Sequence, residues 1–167
     1  LDMPVLTTVG GCLNIYENLG LTSVAAPSLT SVDIDLDIRD NLTLMSLDLP
    51  ALTTVADDLW ISGHAVLVSF AMPNLTIVGE DMYVFENAGL TSFDMSSLAT
   101  VDADLDIYDN QSLASLAGLS SLTHVNRDLH IIDTYCASQS DAGAFAVGLT
   151  VGGIVGVHGN GVNYPCP

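Results

Sequence analysis

The sequence predicts an all-β solenoid, a parallel β-helix of about six 23-residue coils with a small C-terminal helix-plus-strand cap. Three observations carry this. First, the stretch Leu52–Ser62 returns at Leu75–Phe85 and Leu98–Tyr108, 23 residues apart, and its frame runs back through Leu29 and Leu6 and on, with one extra residue, to Leu122. Second, each copy holds two apolar residues two apart, such as Leu59 and Ile61, the period of a strand with one face inward. Third, no copy shows helical spacing of apolar residues, and Pro27, Pro50 and Pro73 stand two residues ahead of the next copy, where a helix would not take them.

Counting each first leucine as position 0, Val9, Val32, Val55, Val78, Val101 and Val125 follow at position 3. Positions 7 and 9 form the strand pair, from Leu13 and Ile15 through Met82 and Val84 to Leu129 and Ile131. A leucine at 15, a serine at 17 and an apolar residue at 18, as in Leu67, Ser69 and Phe70, leave room for one or two further extended segments between bends. A leucine-rich repeat with a helix on its back has a similar period, but the short Ser- and Pro-bearing back segments favour the all-β coil. Six coils at ~4.8 Å make a rod of roughly 30 Å. The repeats occupy residues 1–133 and the cap residues 134–167. In the cap, Asp141–Leu149 reads as a short helix with Ser138 or Ser140 as N-cap, and Gly153–His158 as a last strand ending at Gly159-Asn160-Gly161. A final coil needs such cover for its core and strand edge. The N-terminus shows no equivalent, so either Leu1 to Val5 suffices or a cap has been removed.

Twenty acids stand against two bases, Arg39 and Arg127, for a net charge of -18 among 167 residues. Such a chain repels nucleic acid and acidic membrane surfaces. The longest run free of charged residues and of histidine, Ala142 to Val157, is 16 residues broken by glycines, against the roughly 18–20 that insertion into a bilayer requires. Cys136 and Cys166 bracket the cap, which points to a disulfide closing it and to a secreted or cell-surface location. The alternative is three buried free thiols in a cytosolic protein. Cys12 has no obvious partner.

The pattern L-x-x-V-x-x-x-L-x-I-x-x-N-x-x-L, carried by Leu6 to Leu21 and its copies, resembles the receptor L domain family. Gly11-Cys12-Leu13-Asn14-Ile15 is similar to the cysteine-bearing first strand of such domains, and Cys136, the short helix, Val157-His158-Gly159-Asn160 and Cys166 are similar to the terminal cap of secreted bacterial members. The resemblance implies a right-handed β-helix displayed outside the cell and used for binding. Its motif is mostly core, so it specifies fold far better than ligand.

Chemistry in a solenoid is read down columns, where each coil stacks its position on the next. Position 12 holds Asn18, Asn41, Asn87 and Asn110, with His64 in the third coil and Thr134 in the sixth, a structural column at a bend. Asn41, Asn74 and Asn110 also begin glycosylation sequons. Position 6 holds Asp35, Asp58, Asp81, Asp104 and Asp128, and position 11 holds Glu17, Asp40, Glu86, Asp109 and Asp133, interrupted by Gly63. Stacked carboxylates repel unless backbone N–H groups or cations lie between them, so calcium at Asp58, Asp81 and Asp104 is one expectation and a solvated acidic flank the other. A threonine column, Thr7, Thr30, Thr53, Thr76 and Thr123, suits an ice face poorly, because strand alternation would turn the adjacent irregular column away.

The outward positions of the repeated strand carry the functional expectation. Trp60, Tyr83, Phe85 and Tyr108 should face solvent beside Asp58, Asp81, Asp104 and Asp106, a surface suited to a glycan or to a cationic patch on a protein. The alternative is that the cap, a neighbouring domain or a second copy covers it. No serine or cysteine stands in a recognisable histidine–acid arrangement, and the short loops offer no cleft for a carboxylate pair, so the chain reads as non-catalytic with no cofactor beyond calcium. The expected function is adhesion or recognition at a cell surface. The rival is a structural subunit self-associating into a filament or surface layer.

Overall fold

A computed structural model describes residues 1–134 and 139–160. It is a parallel β-solenoid whose coils follow one another at 23 residues over most of the chain. Each full coil contributes to up to three sheets. The longest strands, Leu13–Tyr16, Leu36–Arg39, Leu59–Ser62, Met82–Phe85, Leu105–Tyr108, Leu129–Ile132 and Val155–His158, form one seven-stranded sheet. A second seven-stranded sheet is built from two-residue strands, from Thr8–Val9 to Thr150–Val151. The third has four strands, Ser23–Ala25, Ser46–Asp48, Ser69–Ala71 and Ser92–Asp94. Every pairing is parallel and in register, as in Leu59 beside Met82 and Met82 beside Leu105.

Local chemistry sets the corners. Pro27, Pro50 and Pro73 each occupy the second place of a turn closed by an N–H donation such as Leu52 to Leu49 (3.2 Å) and Leu75 to Met72 (3.0 Å), where the fixed proline φ suits the turn. A second turn follows the asparagine column, with Leu44 N–H donating to Asn41 O and Leu90 N–H to Asn87 O. Inside, leucine, valine and isoleucine at the frame positions make one continuous core; Leu52, Val55, Leu59, Ile61 and Leu67 are all fully buried. A further buried column, Ala26, Leu49, Met72 and Met95, lies two residues beyond the third-sheet apolar position. Phe70 and Phe93 stack inside at 5.3 Å between ring centroids.

The third sheet stops after four strands because the extra residue of the fifth coil is taken up by a short 3-10 turn, Ala117–Leu119. On the sixth coil the helix, Gln139–Val147, stands in that place, with Ala142 and Ala146 buried against the core. The expected final strand is the seventh rung of the long-strand sheet, and Thr150–Val151 the seventh rung of the short one. The cap is thus partly a coil. At the other end Leu1 to Met3 run along Ser23–Ala25, with Met3 N–H donating to Ala25 O (2.9 Å) and Ala25 N–H to Leu1 O (3.0 Å). The expected Cys136–Cys166 bridge and the Ser138 cap fall outside the described residues. Among those residues Cys12 is a free, exposed thiol, and no helix is long and apolar enough to cross a membrane.

Candidate functional site

Three polar columns hydrogen-bond to the backbone of neighbouring coils. In the asparagine column, Asn18 N–H donates to Asn41 Oδ1 (3.0 Å), His64 N–H to Asn87 Oδ1 (3.2 Å) and Asn87 N–H to Asn110 Oδ1 (3.2 Å). From the second coil on, the amide nitrogens reach back to the preceding coil: Asn41 Nδ2 donates to Ile15 O, Asn87 Nδ2 to Ile61 O and Asn110 Nδ2 to Val84 O. Asn160 continues the column, accepting from Thr134 N–H (3.0 Å) and donating to Ile131 O (2.8 Å). Its rung was hidden in the sequence because the spacing there widens to 26 residues. Asn41 and Asn110 are fully buried, so only Asn74 presents an exposed sequon. His64 replaces one asparagine; its Nε2 faces Ile38 O (3.1 Å) and its Nδ1 faces Asn41 O (3.3 Å), fully buried.

The aspartate column works similarly. Asp35, Asp58, Asp81 and Asp104 each present Oδ1 to the backbone N–H of the next aspartate, at 3.2, 2.9, 2.9 and 2.8 Å, and Asp128 does so to Ile154. Backbone donors explain how like charges stack a coil apart. No group of three or more potential metal ligands converges among the described residues. Threonine hydroxyls at 30, 53 and 76 donate to the carbonyl of the threonine one coil back, each at 2.9 Å. Here the alternation expected from sequence does not hold. The short strand begins one residue later, so Thr53 and Thr54 both lie outside the buried Val55.

The acidic column at position 11 has a cause that composition concealed. Glu17, Asp40, Glu86, Asp109 and Asp133 all take positive φ, between 52° and 56°, and Gly63 and Gly159 occupy the same place at 71° and 74°. This is the left-handed bend that ends each long strand. Its register signal was the glycine interruption.

The outward face of the long strands is different. Trp60 pairs with Tyr83 in register and Phe85 with Tyr108. The Trp60 and Tyr83 centroids are 4.0 Å apart, Phe85 and Tyr108 stack at 4.7 Å and 11°, and the edge contact of Trp60 with Phe85 at 6.1 Å joins the two pairs. On the preceding coil Arg39 lies over Trp60, its guanidinium carbon 5.2 Å from the ring centroid. The same guanidinium is bidentate to Asp37, whose side chain is 11% exposed. The sequence expects Trp60 to face solvent freely; it is half-buried, because Arg39 and Tyr83 cover it from the neighbouring coils. Tyr83, Phe85 and Tyr108 are half-buried too.

The predicted carboxylates surround these rings. Asp81 Oδ2 accepts from the Tyr83 hydroxyl (2.8 Å), and burial together with this bond raises the tyrosine pKa. Asp106, on the same strand as Tyr108, is 2.7 Å from His130 Nδ1. Burial pushes the Asp106 carboxyl upward while the histidine opposes it. The hydrogen bond to Asp37 holds the Arg39 pKa high. Asp58 and Asp104 contribute through the aspartate column. Asp106 and His130 stand in one outward column of the sequence, on adjacent coils across the one-residue insertion, and only their hydrogen bond was not read from it. Among the described residues no serine or cysteine hydrogen-bonds to that histidine.

Compared with protein-family models, curated proteins and solved structures, the chain matches none.

Proposed function

We propose that the chain is a non-catalytic recognition module, displayed outside the cell as a receptor L domain-like solenoid, that binds a glycan or protein through the Trp60–Tyr83–Phe85–Tyr108 face. One observation carries this reading: four aromatic rings join across three consecutive coils on a rigid sheet at outward positions that the core does not use. Large rings held with few rotatable bonds and flanked by polar groups supply binding area at low entropic cost. Binding of the purified protein to a glycan array and to cells tests it. Trp60→Ala and Tyr83→Ala should abolish binding while the circular dichroism spectrum is retained. Binding unchanged in both variants would move the site elsewhere.

A separate observation favours the self-assembling reading. Leu19, Leu42, Met45, Val66 and Val68, 45–75% exposed, line one corner between the long-strand sheet and the third sheet. Apolar side chains along a solenoid corner suit side-by-side packing of copies. Electron microscopy of the native material distinguishes the two: filaments or sheets support assembly, discrete monomers count against it.

A further inference from the structure

We propose that the Phe85–Tyr108 end of the aromatic face holds an arginine side chain from a basic polypeptide partner. This rests on the binding reading above and names its ligand class. The protein carries an example of the arrangement within itself. Arg39 is clamped by Asp37 on its own strand and laid over the ring of Trp60 on the next coil. Carboxylate, guanidinium and aromatic face together form the contact, and each supports the other two.

At the far end of the same face the carboxylates and rings recur without a lysine or arginine. Phe85 and Tyr108 stack, and the residue after each, Glu86 and Asp109, is an acid fixed in a left-handed bend. Asp106 precedes Tyr108 by two residues on the outward side of the same strand. All three carboxylates act on the Tyr108 ring: beyond the effect of burial, each raises the pKa of its hydroxyl. The chain has two strong bases in all. Arg39 is committed to Asp37, and Arg127 lies outside the long strands. The His130 imidazole meets Asp106.

Charge selects the partner class. A chain of net charge -18 draws in a basic segment and repels acidic glycans and nucleic acids. A neutral glycan could use the rings and donate hydroxyl hydrogen bonds to the carboxylates, but only a cationic side chain gains from their charge as well. Between the two basic side chains, guanidinium is favoured because it is planar, weakly hydrated, and able to stack on a ring while forking to a carboxylate.

Calorimetry with the whole protein tests this, using a short peptide of alternating arginine and serine, its lysine counterpart and a neutral glucan oligosaccharide. Measurements at low and at roughly physiological salt read the electrostatic part. Phe85→Leu with Tyr108→Leu keeps apolar bulk and net charge but removes the rings; it should weaken the arginine peptide about tenfold or more, the scale of a partly desolvated cation–π contact. Glu86→Gln with Asp109→Asn should weaken it as well, and the lysine peptide should bind less tightly throughout. Thermal melts check that each variant is folded, and Val68→Ser, on the apolar corner, serves as control. Arginine-peptide affinity indifferent to the leucine pair overturns the inference, because acidity alone would then account for binding. Glucan binding lost in Trp60→Ala with no peptide binding overturns it too, yet leaves the recognition reading standing. If no probe, and no cell, responds to any variant on this face, both fall.

Discussion

The asparagine column and the aromatic row run side by side along the same bends, two to four residues apart in each coil, and they answer to different demands. Asn41, Asn87 and Asn110 have no exposed surface, and each bonds to a neighbouring coil. Remove one and a buried carbonyl and a buried N–H lose their partners. Trp60, Tyr83, Phe85 and Tyr108 also touch from coil to coil, but at the surface, where water would satisfy whatever their removal uncovers. A repeated column alone therefore does not mark function. What separates the two is whether the backbone depends on the side chain.

The comparison can be broken from the structural side first. Asn87→Leu takes the side-chain partners from Ile61 O and His64 N–H in the interior and should cost about 2–6 kcal/mol, the sum of two buried groups at roughly 1–3 kcal/mol each. Urea unfolding measures it, and a loss near zero would mean the column is ornamental. Gly63→Ala should cost about 1–2 kcal/mol, since the bend keeps positive φ and a Cβ there would meet Asp40 Oδ1 at 2.2 Å. Gly63→Asn should cost less, asparagine tolerating that region better.

His64 sharpens the contrast, because it is a titratable group within the structural column. Burial, its dominant influence, holds the imidazole pKa below the ordinary histidine value, against opposing contributions from the two carbonyls and Asp40. The unfolded chain then binds the proton more readily, so the stability contribution is present above about pH 6.5 and is lost as the pH falls below it. His64→Asn should remove this loss and restore the rung toward Asn41, for a gain of about 1 kcal/mol. The difference in melting temperature between the two proteins, widening from pH 7 to pH 5, is the measurement; a constant difference would show that folded His64 binds its proton as readily as the unfolded chain does. The smallest stability effect is expected on the aromatic row. Tyr108→Leu should cost about 1 kcal/mol, the scale of one ring pair, while its effect on binding should be far larger.

The fold was legible because its determinants are apolar residues at fixed spacing: Leu52, Val55, Leu59 and Ile61 need only period and hydrophobicity to be read. The outward row was legible for the same reason, since alternation on a strand decides which residues leave the core. Less visible was anything set by backbone dihedrals or by hydrogen bonds between coils. Position 11 looked acidic, whereas its common property is positive φ, which glutamate does not advertise. For the aspartate column the sequence left backbone N–H groups and cations as alternatives, and the N–H partners became visible only in the structure. The extent of burial at Trp60 depended on Arg39 and Tyr83, residues of two other coils, and no local pattern encodes it.

Parallel register makes each coil an interchangeable length of chain. Excising residues 53–75, one period, would join Leu52 to Thr76 and set Asn41 directly beneath Asn87. The shortened rod would lose its histidine and gain an unbroken run of buried amides. It would also lose Trp60, the ring that joins Arg39 to the rest of the aromatic row. A single deletion would thus separate what the chain needs in order to stand from what it displays.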